Sequence, residues 1–262
     1  MKDHKPTIGK VTPAPDDIVR ARAQRLANKR IKDFEQAAKG VFPRTCPVCD
    51  YQGMFVAFGF PPRFDAQCPG CRSLERHRLM WLFLDRSGLF SQPRKVLHFA
   101  PEPLLEEIVS AVADVYETSD LFAKRDVTHR VNIEDTGLPD ASYDVIICSH
   151  VLEHVDDGKA LAELYRMLVP GGVALLATPV VEGWATSYEN ADIDGEKDRL
   201  LHFGQGDHVR YFGRDIRDRI RKAGFMLEDF AAVEPDVHIY GLQRGETLFV
   251  ATKPADRATK DN

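Results

Sequence analysis

Lys95-Val-Leu-His-Phe-Ala-Pro-Glu-Pro103 is an apolar run that stops at a turn, with a proline placed to open a helix. A strand, a tight turn and a helix form the repeating unit of a doubly wound α/β sheet. The turn after the first strand is where that fold binds its cofactor. No Gly-x-Gly-x-x-Gly is present, so the segment has to be read with its neighbours.

Downstream, strand and helix patterns alternate. Strands are expected at Lys95–Ala100, Asp114–Thr118, Asp126–Val131, Asp144–Ser149, Gly172–Thr178, Phe225–Ala232 and Thr247–Lys253. Helices are expected between them, at Glu102–Val112, Gly158–Leu168 and Gly213–Ala223. The alternation predicts an α/β fold with a doubly wound, seven-stranded Rossmann-like sheet. The second strand leads to Thr118-Ser-Asp120, where an acidic side chain accepts hydrogen bonds from ribose hydroxyls.

Further on come Ser142-Tyr-Asp-Val-Ile-Ile-Cys-Ser-His-Val-Leu-Glu-His-Val155 and Leu161-Ala-Glu-Leu-Tyr-Arg-Met-Leu-Val-Pro-Gly-Gly172, the latter leading into the strand Val173-Ala-Leu-Leu-Ala-Thr-Pro179. In this order the pieces resemble a class I S-adenosylmethionine-dependent methyltransferase, of the broad group that includes ubiquinone-biosynthesis-type enzymes. The resemblance runs from about Lys95 to Lys253. It implies that Phe99, Ala100, Pro101 and Glu102 lie beside the methionine part of S-adenosylmethionine and that Asp120 holds the ribose. It also implies that Asn132 and Ile133 run along the adenine and that Ser149 and His150 stand near the methyl group. The turn departs from the family pattern, because Ala100 and Glu102 stand where glycines are expected. Glycine serves close approach and positive φ, whereas Pro101 fixes φ and removes a donor. Two readings stay open: a rigid variant turn with Glu102 meeting the cofactor's ammonium, or lost cofactor binding.

Upstream lie Cys46-Pro-Val-Cys49 and Cys68-Pro-Gly-Cys71. Two Cys-x-x-Cys knuckles at this spacing read as a zinc ribbon with four thiolate ligands, Cys46, Cys49, Cys68 and Cys71. Four protein ligands close the site, so Zn2+ there is structural. Aromatic and β-branched residues between the knuckles predict a hairpin that carries both, and Tyr51, Phe55, Phe58 and Phe60 read as its core. Ser73 is placed to cap a helix running from Leu74 to Gly88.

The segment Lys2–Lys39 carries ten Lys/Arg against five Asp/Glu, in a chain of 262 residues with net charge −5. Pro6, Gly9, Pro13 and Pro15 mark a tail, and Ile18 to Phe34 follow helical spacing as an amphipathic helix packed on the body with a solvated basic face. The expected organisation is 1–40 tail and basic helix, 41–72 zinc ribbon, and 73–262 methyltransferase domain. No apolar run reaches bilayer-spanning length, and the N-terminus lacks a secretory apolar core, so the reading is cytoplasmic with no membrane partner.

The loop His202-Phe-Gly-Gln-Gly-Asp-His-Val-Arg-Tyr-Phe-Gly213 follows the fifth strand and is rich in the polar groups a substrate pocket uses. Asp207 and His208 are candidates for an acid/base pair, with His150 a further catalytic candidate. Arg210 is a candidate for holding an anion, and His154 and Tyr211 for lining the substrate site. A structural hydrogen-bond cluster is the alternative for this loop. Three functions compete: methyl transfer to a small polar metabolite, which the acidic total favours; methyl transfer to RNA, which the basic arm would suit; and a non-catalytic binding protein.

Overall fold

The computed structural model describes residues 15–37, 39–59 and 61–255. The tail before Pro15, and Phe60, lie outside them. The chain divides into two compact units, Met1–Arg72 and Ser73–Asn262.

In the first unit, α1 (Pro15–Ala37) opens with Asp16 and Asp17, whose charges suit the positive end of the helix dipole. Its side chains from Asp16 to Glu35 are all exposed, Ile18, Leu26 and Phe34 included. Its apolar stripe is interrupted by Arg22, Arg25 and Lys29, and nothing described within the first unit covers it. Two short antiparallel pairs follow in place of one hairpin. β1 (Pro43–Thr45) pairs with β2 (Gln52–Met54), and β3 (Val56–Phe58) pairs with β4 (Arg63–Gln67). The first knuckle links β1 to β2 and the second follows β4. Phe55, Cys46 and Cys68 are the fully buried centre of this small unit.

The second unit starts with α2 (Glu75–Ser87), stopped by Gly88 at φ +66. Then come β5 (Lys95–Phe99), α3 (Pro103–Ser110) with its proline in the first turn, β6 (Val115–Ser119) and β7 (Tyr143–Ser149). α4 (Asp157–Met167) is capped by Asp156, whose side chain accepts from Lys159 N at 3.1 Å, and runs straight into β8 (Leu168–Ala177). An arm holds β9 (Tyr188–Glu189), α5 (Glu196–Phe203) and β10 (Arg210–Tyr211). The chain closes with α6 (Ile216–Lys222), β11 (Met226–Ala231), α7 (Asp236–Tyr240) and β12 (Thr247–Thr252).

Six strands form one mixed sheet in the order β11-β12-β8-β7-β5-β6. β6, β5, β7 and β8 run parallel, and β12 is antiparallel to both of its neighbours. Alternation along the strands sends Leu97, Phe99, Ile146, Cys148, Ala174 and Leu176 to one face, against Leu161 and Leu164 of α4 and Ile216 and Ile220 of α6. Val96, Val145, Ile147 and Leu175 point to the other, against Leu79 and Leu82 of α2 and Leu105 and Val109 of α3. Both faces of the central strands are covered, which is why they read as largely apolar runs. Each such side chain contributes about 1.5–3 kcal/mol through burial.

The seventh strand expected at Asp126–Val131 does not form. One isolated bridge, Ser119 to His129, is the one sheet-type pairing between this segment and β6 among the described residues. The backbone N–H of Thr118 donates to Thr128 Oγ1 and that of Thr128 to Thr118 Oγ1, both at 3.1 Å. Two threonine hydroxyls thus take donors that a ladder would use, a local alternative to sheet pairing.

Candidate active site

β5, β6 and β7 are parallel, so their carboxyl ends share one edge of the sheet. β5 is followed by β6 on one side and paired with β7 on the other, so the winding reverses there. In open α/β sheets that reversal leaves a crevice. Here it is a cavity of about 320 Å3, lined by Phe99 and Ala100 from the end of β5, Ser119 and Asp120 from β6, Asn132 and Ile133 from the unpaired segment, and His150 from β7. Val151, His154, Val155 and Asp207 close the opposite wall, and Leu121 and Phe122 complete the rim. Lys and Arg are absent from this lining.

Both central strands end in a left-handed residue at the cavity wall, Ala100 at φ +46 and His150 at φ +54. Neither is glycine, so each costs roughly 1–2 kcal/mol against an ordinary conformation. The backbone shape that glycine would supply at the first turn is therefore kept without it. Polar ties hold the turn. Arg125 donates to the Pro101 carbonyl at 3.0 Å and pairs with Glu106. Glu102 receives two bonds from Arg76, at 2.8 and 2.6 Å, and lies 2.6 Å from His77 Nε2. Burial alone would raise the Glu102 carboxyl, but the bonds from His77 and Arg76 outweigh it and hold the group well below the usual carboxylate range. Its carboxylate is thereby engaged with α2 and is not part of the cavity lining. Sequence reading missed Arg76, His77 and Arg125, since nothing in linear spacing ties them to the turn.

Asp120 Oδ1 accepts the backbone N–H of Phe122 at 2.9 Å, which leaves Oδ2 open at the cavity wall among the described residues. Asn132 Oδ1 does the same for Glu134 N at 3.0 Å. Ser149 is buried at the end of β7 behind the wall. The short turn Leu152–His154 carries Glu153, which is 2% exposed. Its Oε1 lies 3.2 Å from His150 Nδ1, and its Oε2 accepts from Thr178 Oγ1 at 2.9 Å.

The loop before β10 is arranged differently from the pairing expected for it. Asp207 turns to His154, whose Nδ1 is 3.4 Å from Asp207 Oδ2 and 3.3 Å from its carbonyl oxygen. His208 is buried beside them, and burial lowers its basicity further than the nearby His154 does. Arg210 faces away from the cavity. It donates to Glu189 and to the carbonyls of Leu152 and Val155, at 2.8, 3.0 and 2.5 Å, and pairs with Asp157 at 3.1 Å. It therefore fastens the arm to the Leu152–His154 turn. Tyr211 stacks edge-on against Trp184 at 6.2 Å, also outside the cavity lining. Of the three residues expected to hold substrate, His154 alone reaches the cavity.

In the first unit the four cysteines cluster. Sγ of Cys46 is 3.6 Å from that of Cys71, and Cys49 is 3.7 Å from Cys68. Sulfurs on a tetrahedron of 2.3 Å bonds stand about 3.8 Å apart, so the donor set fits zinc. Each knuckle closes alike: Asp50 N donates to Cys46 O and Arg72 N to Cys68 O, both at 2.9 Å, with Asp50 and Arg72 at positive φ. A Cβ on Gly70 would come 3.2 Å from Cys49 Sγ, a tight contact to which the sulfur would have to give way. Burial pushes the Cys68 thiol up to about 12, so that sulfur carries little charge unless a cation lies beside it.

Residues 96–176 match the family model described as a methyltransferase domain, less than half of the chain. That stretch holds β5 to β8 and most of the cavity wall. A Mycolicibacterium smegmatis protein, described as a probable S-adenosylmethionine-dependent methyltransferase, is 41% identical over 59 residues, 22% of this chain and 23% of that protein. A ubiquinone biosynthesis O-methyltransferase from Psychrobacter arcticus is 33% identical over 90 residues, 33% of this chain and 34% of the other. The chain thus spans only a quarter to a third of the length of the curated relatives it matches. Among solved structures, an S-adenosylmethionine-dependent methyltransferase from Mesorhizobium loti aligns with a TM-score of 0.48 at 16% identity, over 66% of this chain and 97% of that one. A Burkholderia thailandensis 1,6-didemethyltoxoflavin-N1-methyltransferase aligns with a TM-score of 0.46 at 16% identity, over 67% and 76%.

Proposed function

We propose that the chain is an S-adenosylmethionine-dependent methyltransferase acting on a small polar molecule, and that its cysteine cluster holds a structural zinc ion. The observation that carries the first part is the cavity at the winding reversal, with an acidic side chain from β6 on one wall and Asn132 and Ile133 beside it. When bound, the cofactor would supply a methyl group on a sulfonium, with a neutral thioether as the leaving group.

The residues of this chain bind and orient. Asp120 has an open carboxylate oxygen for ribose hydroxyls, and Ile133 offers an apolar surface to a flat base. Ala100, in its left-handed turn, brings backbone close to the ligand. Phe99, Ile133, Val151 and Val155 exclude water, and alignment of this kind can supply roughly 7–11 kcal/mol of the barrier. The wall of His150, His154 and Asp207 is where an acceptor would be held.

Absence of Lys and Arg from the described lining favours a small molecule over RNA, whose phosphates need cationic partners. Calorimetric titration with S-adenosylmethionine and S-adenosylhomocysteine tests the reading. Binding of both is expected, and no heat with either would sink it. The zinc part is supported by the sulfur spacing and is tested by metal analysis of the purified chain.

A further inference from the structure

Glu153, His154 and His208 come together from two separate segments, the Leu152–His154 turn and the loop before β10. One donor atom from each lies within 4.8 Å of the other two. The two imidazoles stand edge to face, with ring centroids 4.6 Å apart and planes at 87°. His208 is 4% exposed, and its Nδ1 is buried with no hydrogen-bond partner. An orphaned buried polar atom costs about 1–3 kcal/mol, and native structures rarely keep one without a use.

The surroundings fit coordination. A metal-bound imidazole is usually fixed through its other ring nitrogen by a carboxylate or a backbone carbonyl. His154 has Asp207 at its Nδ1, and the Phe203 backbone stands near the His208 ring. Glu153 is oriented by Thr178 and His150, yet an ionised carboxylate has about four lone-pair sites, so two stay available.

We propose that Glu153, His154 and His208 bind a divalent transition-metal cation of the zinc, cobalt or ferrous class. Two imidazoles and one carboxylate suit such ions; magnesium and calcium prefer oxygen donors alone. Donors on one ion at about 2.1 Å stand up to about 4.2 Å apart, so small side-chain rotations close the set. Three protein ligands leave a coordination position open. His154 lines the cavity, so that position faces it and takes an oxygen donor, a hydroxyl or carboxylate of the molecule held there. This last clause rests on the methyl-transfer reading; the cation site does not.

The test is a cobalt(II) titration of the metal-stripped full-length chain. Cobalt bound by cysteine gives a thiolate charge-transfer band, and cobalt bound by nitrogen and oxygen does not. Uptake of one equivalent beyond saturation of the thiolate band is expected, and its loss in His208→Ala and in His154→Ala with that band unchanged. Uptake that ends with the thiolate band, or an extra equivalent that survives in both variants, overturns the site. The wild-type titration decides the matter even where a variant fails to fold. Binding of S-adenosylhomocysteine is measured separately, and its failure would leave the cobalt result standing.

Discussion

Nε2 of His77 lies 2.6 Å from Oε2 of Glu102, while Nδ1 of the same ring accepts the backbone N–H of Leu74 at 3.2 Å. A backbone N–H can only donate, so Nδ1 is the acceptor and the proton on Nε2 points at Glu102. One imidazole thereby ties the start of α2 to the turn after β5.

This arrangement makes stability depend on acid. Glu102 is depressed in the folded chain, so its contribution is fully present above the ordinary carboxylate value of about 4.3 and is lost as pH falls below it. Glu102→Gln should cost about 1.5–3 kcal/mol at neutral pH, the worth of hydrogen bonds to a charged group. Urea unfolding at neutral and acidic pH checks this: the gap between wild type and variant should narrow in acid, and a constant gap would rule the account out.

Ala100 sits at φ +46, where glycine is at ease and a β-branched residue is not. Ala100→Gly should leave stability within about 1 kcal/mol of wild type, because relief of strain offsets the added freedom of the unfolded chain. Ala100→Val should cost more than about 2 kcal/mol and weaken S-adenosylhomocysteine binding. Thermal melts and calorimetry on both variants would expose an error in either direction.

Asp120→Ala should lower affinity for S-adenosylhomocysteine by roughly 10–100-fold, the loss of a hydrogen bond to a charged group. Asp120→Asn keeps the acceptor for Phe122 N and should fall in between. Equal affinity in all three proteins would remove Asp120 from the binding site.

Arg210 is buried in a network with Asp157, Glu189 and two carbonyls. Arg210→Ala strands those partners and should cost about 3–5 kcal/mol. A merely surface-like effect, under about 1 kcal/mol in urea unfolding, would show that the arm is held some other way.

Removing metal from the cysteine cluster should unfold the first unit, since structural zinc contributes about 10–16 kcal/mol to folding such small modules. Cys49→Ser should do the same. Amide exchange within β1–β4 is the readout, and unchanged protection after chelation would mean that Phe55 and its neighbours suffice as a core.

Much of this fold was legible because its strands are buried on both faces. Val145–Cys148 and Ala174–Leu176 are continuous apolar runs and Val96–Phe99 is broken only by His98, a pattern that marks central strands. The segment Asp126–Val131 misled because a threonine pair decides its pairing through side-chain bonds that strand propensity does not register. At the site, the residues at strand ends were readable from their place in the alternation. Asp207 and Arg210 were harder. Adjacent letters suggested that Asp207 serves His208, but the loop turns its carboxylate to His154, fifty-three positions away. Arg210 looked like a free cation because its partners, Asp157 and Glu189, come from elements whose approach only the folded arm reveals.

The unpaired segment after β6 gives the cavity two walls of unequal permanence. One wall is the ends of β5 and β7, embedded in the sheet and able to open only with it. The other, through Asn132 and Ile133, lies outside the sheet and is fastened by a bridge to β6, a few side-chain bonds and the burial of Ile133. Lacking a strand ladder, it opens at a lower free energy than the sheet does. A ligand can come and go by loosening that flank alone, and binding should slow its hydrogen exchange far more than that of the strands beside it.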